Sequence, residues 1–351
     1  GRSTEWFVPY FLGRIYCGSA RAVRDLMLGV FLGGLVYVPF CLYEVRMSPQ
    51  LHAIVYGFHP HSFEQTKRWG GWRPVVFMKH GLMVGMWMTM ASLAGFASMY
   101  NGTLKEVASK IRTPPVILVA IVLGTTILCK STGALALFLV GAFILYLGLL
   151  FRTRLPYVAL LSIPMVYVVL RATGSWDVQN VIDAMLQVLP ERRVGSFAYR
   201  IHNENILLEK AFRRIWFGWG GWQRSFVFDD MGRPASVPDG FWVLVFGKNG
   251  LFGLTSMLLT VLLPQLLFLR RFKPSTWKTS PTQTAAYLLV LLLSLFMVDS
   301  LMNDMFNPMI VLVAGGLGTL CADRFDETES EQKDNPQIGH STMNDYRPRL
   351  V

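Results

Sequence analysis

Long apolar blocks alternate with short charged interruptions along most of this chain. A helix needs about 20 apolar residues to cross bilayer hydrocarbon. Eight blocks read as such spans. They cover about 26–43, 80–99, 115–129, 133–150, 155–170, 241–269, 285–302 and, after the turn at Asn307-Pro308, the stretch to about Leu320. The third is short, and Lys130 at its end would snorkel to extend it. Pro164 predicts a kink in the fifth, because proline removes a backbone donor and crowds the preceding turn. Lys248-Asn249 interrupts the sixth block. Either one helix begins in the membrane interface, or a short re-entrant piece precedes a span from Leu251. The pattern divides the chain into a membrane region at 1–170 with an outer loop at 44–79, a large loop at 171–240, a second membrane region at 241–321 and a polar tail at 322–351. The tail reads as partly disordered. The expected fold is an all-α, polytopic transmembrane helical bundle.

Composition strengthens this reading. Only 16% of the 351 residues are charged and 52% are hydrophobic, where soluble domains carry about 25% charge. A net charge of +11 would suggest nucleic acid in a soluble protein. Here the basic residues lie between apolar blocks, so the partners expected are membrane lipids and no nucleic acid. The four cysteines form no metal-ligand pattern and are expected as free thiols. Residues 1–25 interleave aromatic rings with arginines, as an interfacial segment does, or as the tail of an upstream helix would. The chain opens on Gly1 with no signal-peptide pattern, which leaves room for spans before it.

Charge asymmetry orients the bundle. The N-terminus and connectors 100–115, 151–154 and 270–284 hold four, three, two and four Lys/Arg, with Glu5, Asp25 and Glu106 as the only acids. The positive-inside rule puts these in the cytoplasm and both long loops outside. The loop at 44–79 is itself basic, with five Lys/Arg.

Candidate chemistry concentrates in the two loops. Arg73, just before the second span, is placed to hold a phosphate at headgroup depth with its planar fork of donors; the alternative is a basic loop on bulk lipid. His59-Pro60-His61 has two imidazoles where zinc needs three or four ligands, so neither a metal nor a cofactor is expected. In the large loop, 176–189 reads as an amphipathic helix and 195–216 as a second one. Arg200 and Glu204 share a face of the latter, as a phosphate ligand and its support or as an ordinary surface pair. The run from Trp216 to Trp222 adds Trp219 and Trp222, whose rings suit sugars or a membrane interface. Arg214 and Arg224 flank it as further substrate contacts. Asp239, before the sixth span, is the candidate general base. Asp299 inside the seventh span is expected to face the bundle interior, unless the helix ends at Val298.

Four stretches together resemble the O-antigen ligase and polymerase superfamily, membrane enzymes of bacterial surface polysaccharide assembly. They are Arg73-Pro74 with Phe77 and the glycine-rich span after His80, Lys130-Ser131-Thr132-Gly133-Ala134, Arg213-Arg214-Ile215-Trp216 leading into Gly218-Trp219-Gly220-Gly221, and Phe246-Gly247-Lys248-Asn249-Gly250-Leu251-Phe252-Gly253-Leu254. The resemblance implies a glycosyltransferase of the bacterial inner membrane with a periplasmic large loop. Its substrate would be a polyprenyl-diphosphate-linked glycan, passed to a lipid or glycan acceptor. Arg73 and Arg200 would hold the diphosphate, and a base in the large loop would activate the acceptor. Where the family commonly has a His-Asn pair, this chain reads Pro238-Asp239-Gly240. Either Asp239 takes over as base, or the fold serves as a noncatalytic subunit beside other membrane proteins. A transporter built around Asp299 is a third reading.

Overall fold

The computed structural model describes residues 2–322, save 177, 189, 222 and 238 and the side chains of 2, 3, 192 and 193. The chain is an all-α polytopic bundle with a single two-residue hairpin among the described residues. The predicted tail and Trp222 lie outside the described residues.

Among the described residues, six helices are long and apolar enough to cross a membrane: α2 (Ala20–Met47), α4 (Gly81–Tyr100), α7 (Thr132–Phe151), α8 (Leu155–Ala172), α11 (Phe241–Arg271) and α12 (Pro281–Asp299). A seventh candidate is the pair α5 (Leu104–Ile111) and α6 (Pro115–Leu128), bent by 96° at the Pro114-Pro115 break. The last apolar helix, α13 (Pro308–Ala322), has 15 residues. The remaining helices are α1 (Arg2–Tyr16), α3 (Leu51–Tyr56), α9 (Gln179–Leu186) and α10 (Glu191–Phe212).

Apolar distribution explains the layering. Helix α12 is apolar all round and buries every residue from Thr282 to Met297, so it takes the centre. Helix α4 buries most of its circumference beside it. Helices α7 and α8 keep Leu139, Phe143, Ile163 and Val166 exposed, the outward faces a bilayer would cover. Small residues set the closest approaches. A Cβ on Gly34 would strike Ala91, and one on Gly13 the Leu312 carbonyl. Helix α1 thus runs alongside α13, with Trp6 stacked 4.4 Å from Phe306 and Gly18 against Thr319. This packing makes it a helix of the bundle rather than a free interfacial segment.

Several boundaries differ from the sequence reading. Helix α2 continues past Tyr43 and buries Glu44 completely. Its carboxylate accepts from Leu51 N at 2.8 Å and from Val75 N and Val76 N at 2.7 Å each. These amides repay its desolvation, which is why an acid ends an apolar helix. Two consecutive amides converging on one oxygen form an anion nest, and Val76 takes a φ of 52° to make it. Helix α8 runs through Pro164 to Ala172 and so includes Arg171. The break in α11 falls at Gly250 (φ 65°, ψ −165°), a conformation essentially restricted to glycine. There 215–220 clips onto 247–252 through Trp219 N to Gly247 O at 2.9 Å, Gly220 N to Lys248 O at 2.8 Å and Leu251 N to Ile215 O at 2.6 Å. A short helical piece therefore precedes the run from Leu251, and the break falls beside the Lys248-Asn249 interruption noted in the sequence. All four cysteines are free.

Candidate functional site

The segments between α2 and α4, α6 and α7, α8 and α11, and α12 and α13 meet at one end of the bundle. Arg73 donates to Lys130 O at 3.3 Å, and Arg200 donates to Met302 O and Asn303 Oδ1 at 3.1 Å each. They enclose a cleft of about 800 Å³. Arg68, Arg73, Lys79 and Arg200 line it, with His61, His80, Tyr199, Asn303 and two acids, Asp239 and Asp304.

Each functional side chain is fixed from below. Arg73 is 6% exposed. It lies two residues before the Val75-Val76 nest, so the buried Glu44 determines where its guanidinium emerges. Gly81 is pressed against its aliphatic stem, where a Cβ would collide. Arg200 projects from α10 and reaches Asp239 at 3.9 Å. Asn303, which receives Arg200, is itself tied to Asp299 Oδ1 at 2.7 Å. Helix α12 ends on Asp299, so this acid stands at the mouth of the bundle and steadies Arg200 through Asn303. His80 caps α4, with Nδ1 accepting from Leu82 N at 2.9 Å, and its ring meets that of His61 at 4.4 Å.

The electrostatics are those of a site short of anions. Burial, then the neighbouring Arg68 and Arg200, pull the Arg73 pKa down to about 10, so it remains cationic at neutral pH. Burial and the adjacent His61, Arg73, Arg200 and Arg68 press His80 down to about 3. Burial raises the Asp239 carboxyl above its usual range, against the pull of Arg200 and His61. The buried Nε atoms of Arg68 and Arg73, both of which line the cleft, have no hydrogen-bond partner. Unpaired buried donors cost free energy, and guanidinium donors suit an oxyanion. No group of three or more His, Cys, Asp or Glu among the described residues is arranged to hold a metal.

Of the residues singled out in the sequence, the fold brings Arg73, Arg200 and Asp239 to this cleft. It takes the others among the described residues elsewhere. The Trp219 ring lies under Lys210 and Arg214, 5.1 and 4.5 Å from their charged groups, and its Nε1 donates to Lys210 O at 2.9 Å. Trp219 and Arg214 therefore brace the Gly250 clip. Arg224 is exposed beside Gly221. Glu204 does not support Arg200. It is 4% exposed and binds Arg171 Nε at 2.6 Å, Tyr167 at 3.0 Å and Trp242 Nε1 at 3.2 Å. Helical spacing put both side chains on one face, but the arginine inside α8 was the better partner for a carboxylate leaving water. Sequence reasoning missed Glu44 because it looked like the first polar residue of a loop. It counted Arg68 only as loop charge and His80 only as the start of a span. The one available signal was the density of cations and histidines between His59 and His80. No family model matches the chain, and no curated protein matches it either.

Proposed function

We propose that the chain is a membrane glycosyltransferase of the ligase or polymerase type, moving a glycan from a polyprenyl-diphosphate donor to a hydroxyl of a lipid or glycan acceptor. The observation that carries this reading is the meeting of Arg73, Arg200 and Asp239, distant in sequence, in one cleft where the Nε atoms of Arg68 and Arg73 have no hydrogen-bond partner. The alternation of helices from α2 to α13 supports an eight-pass arrangement. With the cationic connectors inside, the cleft faces the periplasmic side of a bacterial inner membrane together with the large loop.

In this mechanism Arg73 and Arg200 hold the two phosphates. Asp239 takes the proton of the acceptor hydroxyl, whose oxygen bonds to the anomeric carbon. The bond from that carbon to the diphosphate oxygen breaks, and the polyprenyl diphosphate leaves with the electron pair. The guanidiniums stabilise the charge growing on it. A raised carboxyl pKa suits Asp239 to the base role, since base strength rises with pKa. The lowered pKa keeps His80 neutral beside the cations.

The test is release of polyprenyl diphosphate from a lipid-linked glycan by the full chain in nanodiscs. Arg73→Ala and Arg200→Ala are expected to lower the rate on the order of a hundredfold, with monodisperse, folded protein. Unchanged release in both variants refutes the reading. No turnover by the wild type, with stoichiometric protein partners, would point instead to a noncatalytic subunit.

A further inference from the structure

Beside the diphosphate cleft lies a second one of about 830 Å³. The two share Arg68, Arg73, Thr132 and Ser196, so they open into one another. The wall of the second is a hairpin in which β1 (Lys67–Arg68) pairs antiparallel with β2 (Gly71–Trp72). Its two turn residues, Trp69 and Gly70, have φ values of 48° and 68°. Positive φ at both positions is the type I′ pattern, which Asn-Gly or Gly-Gly normally supply. Gly70 fits it. Trp69 does not, because a bulky side chain in the left-handed region is a steric outlier.

The local fold gives no reason for a tryptophan there. Trp69 is 57% exposed, and its ring has no aromatic, cationic or hydrogen-bond partner among the described residues. Trp72 shows what packing would look like in the same hairpin. Its ring lies 5.2 Å from Phe63 and 5.8 Å from the Lys67 ammonium. A strained, exposed residue lining a cleft is an observation from which function can be argued.

We infer that the Trp69 hairpin is a glycan-stacking platform, and that the second cleft holds the sugars next to the diphosphate. This rests on the diphosphate reading above. An indole offers the largest flat apolar face of any side chain, which matches the C–H face of a pyranose. Lys130, whose ammonium lies against Gly71, and the hydroxyls of Thr132 and Ser196 stand around it for the sugar hydroxyls. A diphosphate on the shared arginines places its first sugars in the adjoining space. The exposed ring of a membrane-interface anchor would lie among lipid headgroups and would not distinguish glycosylated from bare carriers.

Two probes test this with the full chain in nanodiscs. One is polyprenyl diphosphate alone, and the other is the same lipid carrying three N-acetylglucosamine residues. Wild type is expected to bind the glycosylated probe more tightly. Trp69→Asn is expected to weaken that probe alone by roughly fivefold to tenfold, while the bare lipid changes less than twofold. Its thermal midpoint should stay level or rise, since asparagine accepts the left-handed conformation. Equal affinities of the wild type for the two probes, or no effect of Trp69→Asn on either, overturns the platform while leaving the diphosphate reading intact. A midpoint lowered by several degrees would make Trp69 a structural residue and also overturn it. Failure of the wild type to bind either probe refutes the diphosphate reading itself.

Discussion

Protonating His80 should unfold the start of α4. Its Nδ1 accepts from Leu82 N, a role only an unprotonated nitrogen can fill, and capping side chains contribute about 1 kcal/mol. In the folded chain its pKa lies at about 3, against about 6.5 in an unfolded chain. Between those values the unfolded chain binds more protons than the folded one. The stability that neutral His80 contributes is therefore fully present above pH 6.5 and is lost as the pH falls toward 3. Each unit of that interval costs up to about 1.4 kcal/mol, so the step from pH 6.5 to 4.5 costs roughly 2 kcal/mol. Asp239, with its raised pKa, works in the opposite sense, losing stability as the pH rises through its own range, and does so in wild type and variant alike. The assay is the unfolding midpoint in detergent between pH 7.5 and 4.5 for wild type and His80→Asn. Asparagine keeps an oxygen for the cap but does not titrate. The variant is expected to match the wild type near neutrality and to lose less stability on acidification. Parallel curves for the two proteins would refute the reasoning.

Two other substitutions probe the supports of the cleft. Glu44→Gln replaces a carboxylate that satisfies three backbone amides. It should cost about 2–3 kcal/mol in chemical unfolding, and weaken diphosphate binding through displacement of Arg73. Arg171→Met leaves Glu204 buried without its cation and should cost about 3–5 kcal/mol. The double variant Arg171→Met/Glu204→Leu should recover much of that in the same unfolding measurement, with binding at the cleft retained.

Legibility varied with the range of the interaction involved. Helix positions were readable because an apolar block long enough to span is helical wherever it sits; α4, α7 and α12 fall within a few residues of the expected limits. The second loop helix was expected at 195–216 and runs Glu191–Phe212, since its ends depend on Pro190 and on the Gly250 clip. Arg73 and Asp239 were visible as a charge and an acid flanking membrane segments. Trp219 and Arg214 were visible as chemistry too, but their tight run of glycines answers to a backbone contact with 247–252, which no local pattern announces.

The sequence alone determined that this is a helical membrane protein, how its apolar blocks are ordered and which connectors carry positive charge. Those properties follow from the transfer of single side chains between water and hydrocarbon, which each residue brings with it. Only the tertiary structure decided that Glu44 is a buried anchor, that Glu204 belongs to Arg171 and that Arg73, Arg200 and Asp239 share one cleft. A buried ionic group is tolerated only with a partner, and its partner here comes from a different helix or loop. The pairing is therefore a property of the packed bundle rather than of any segment of the chain.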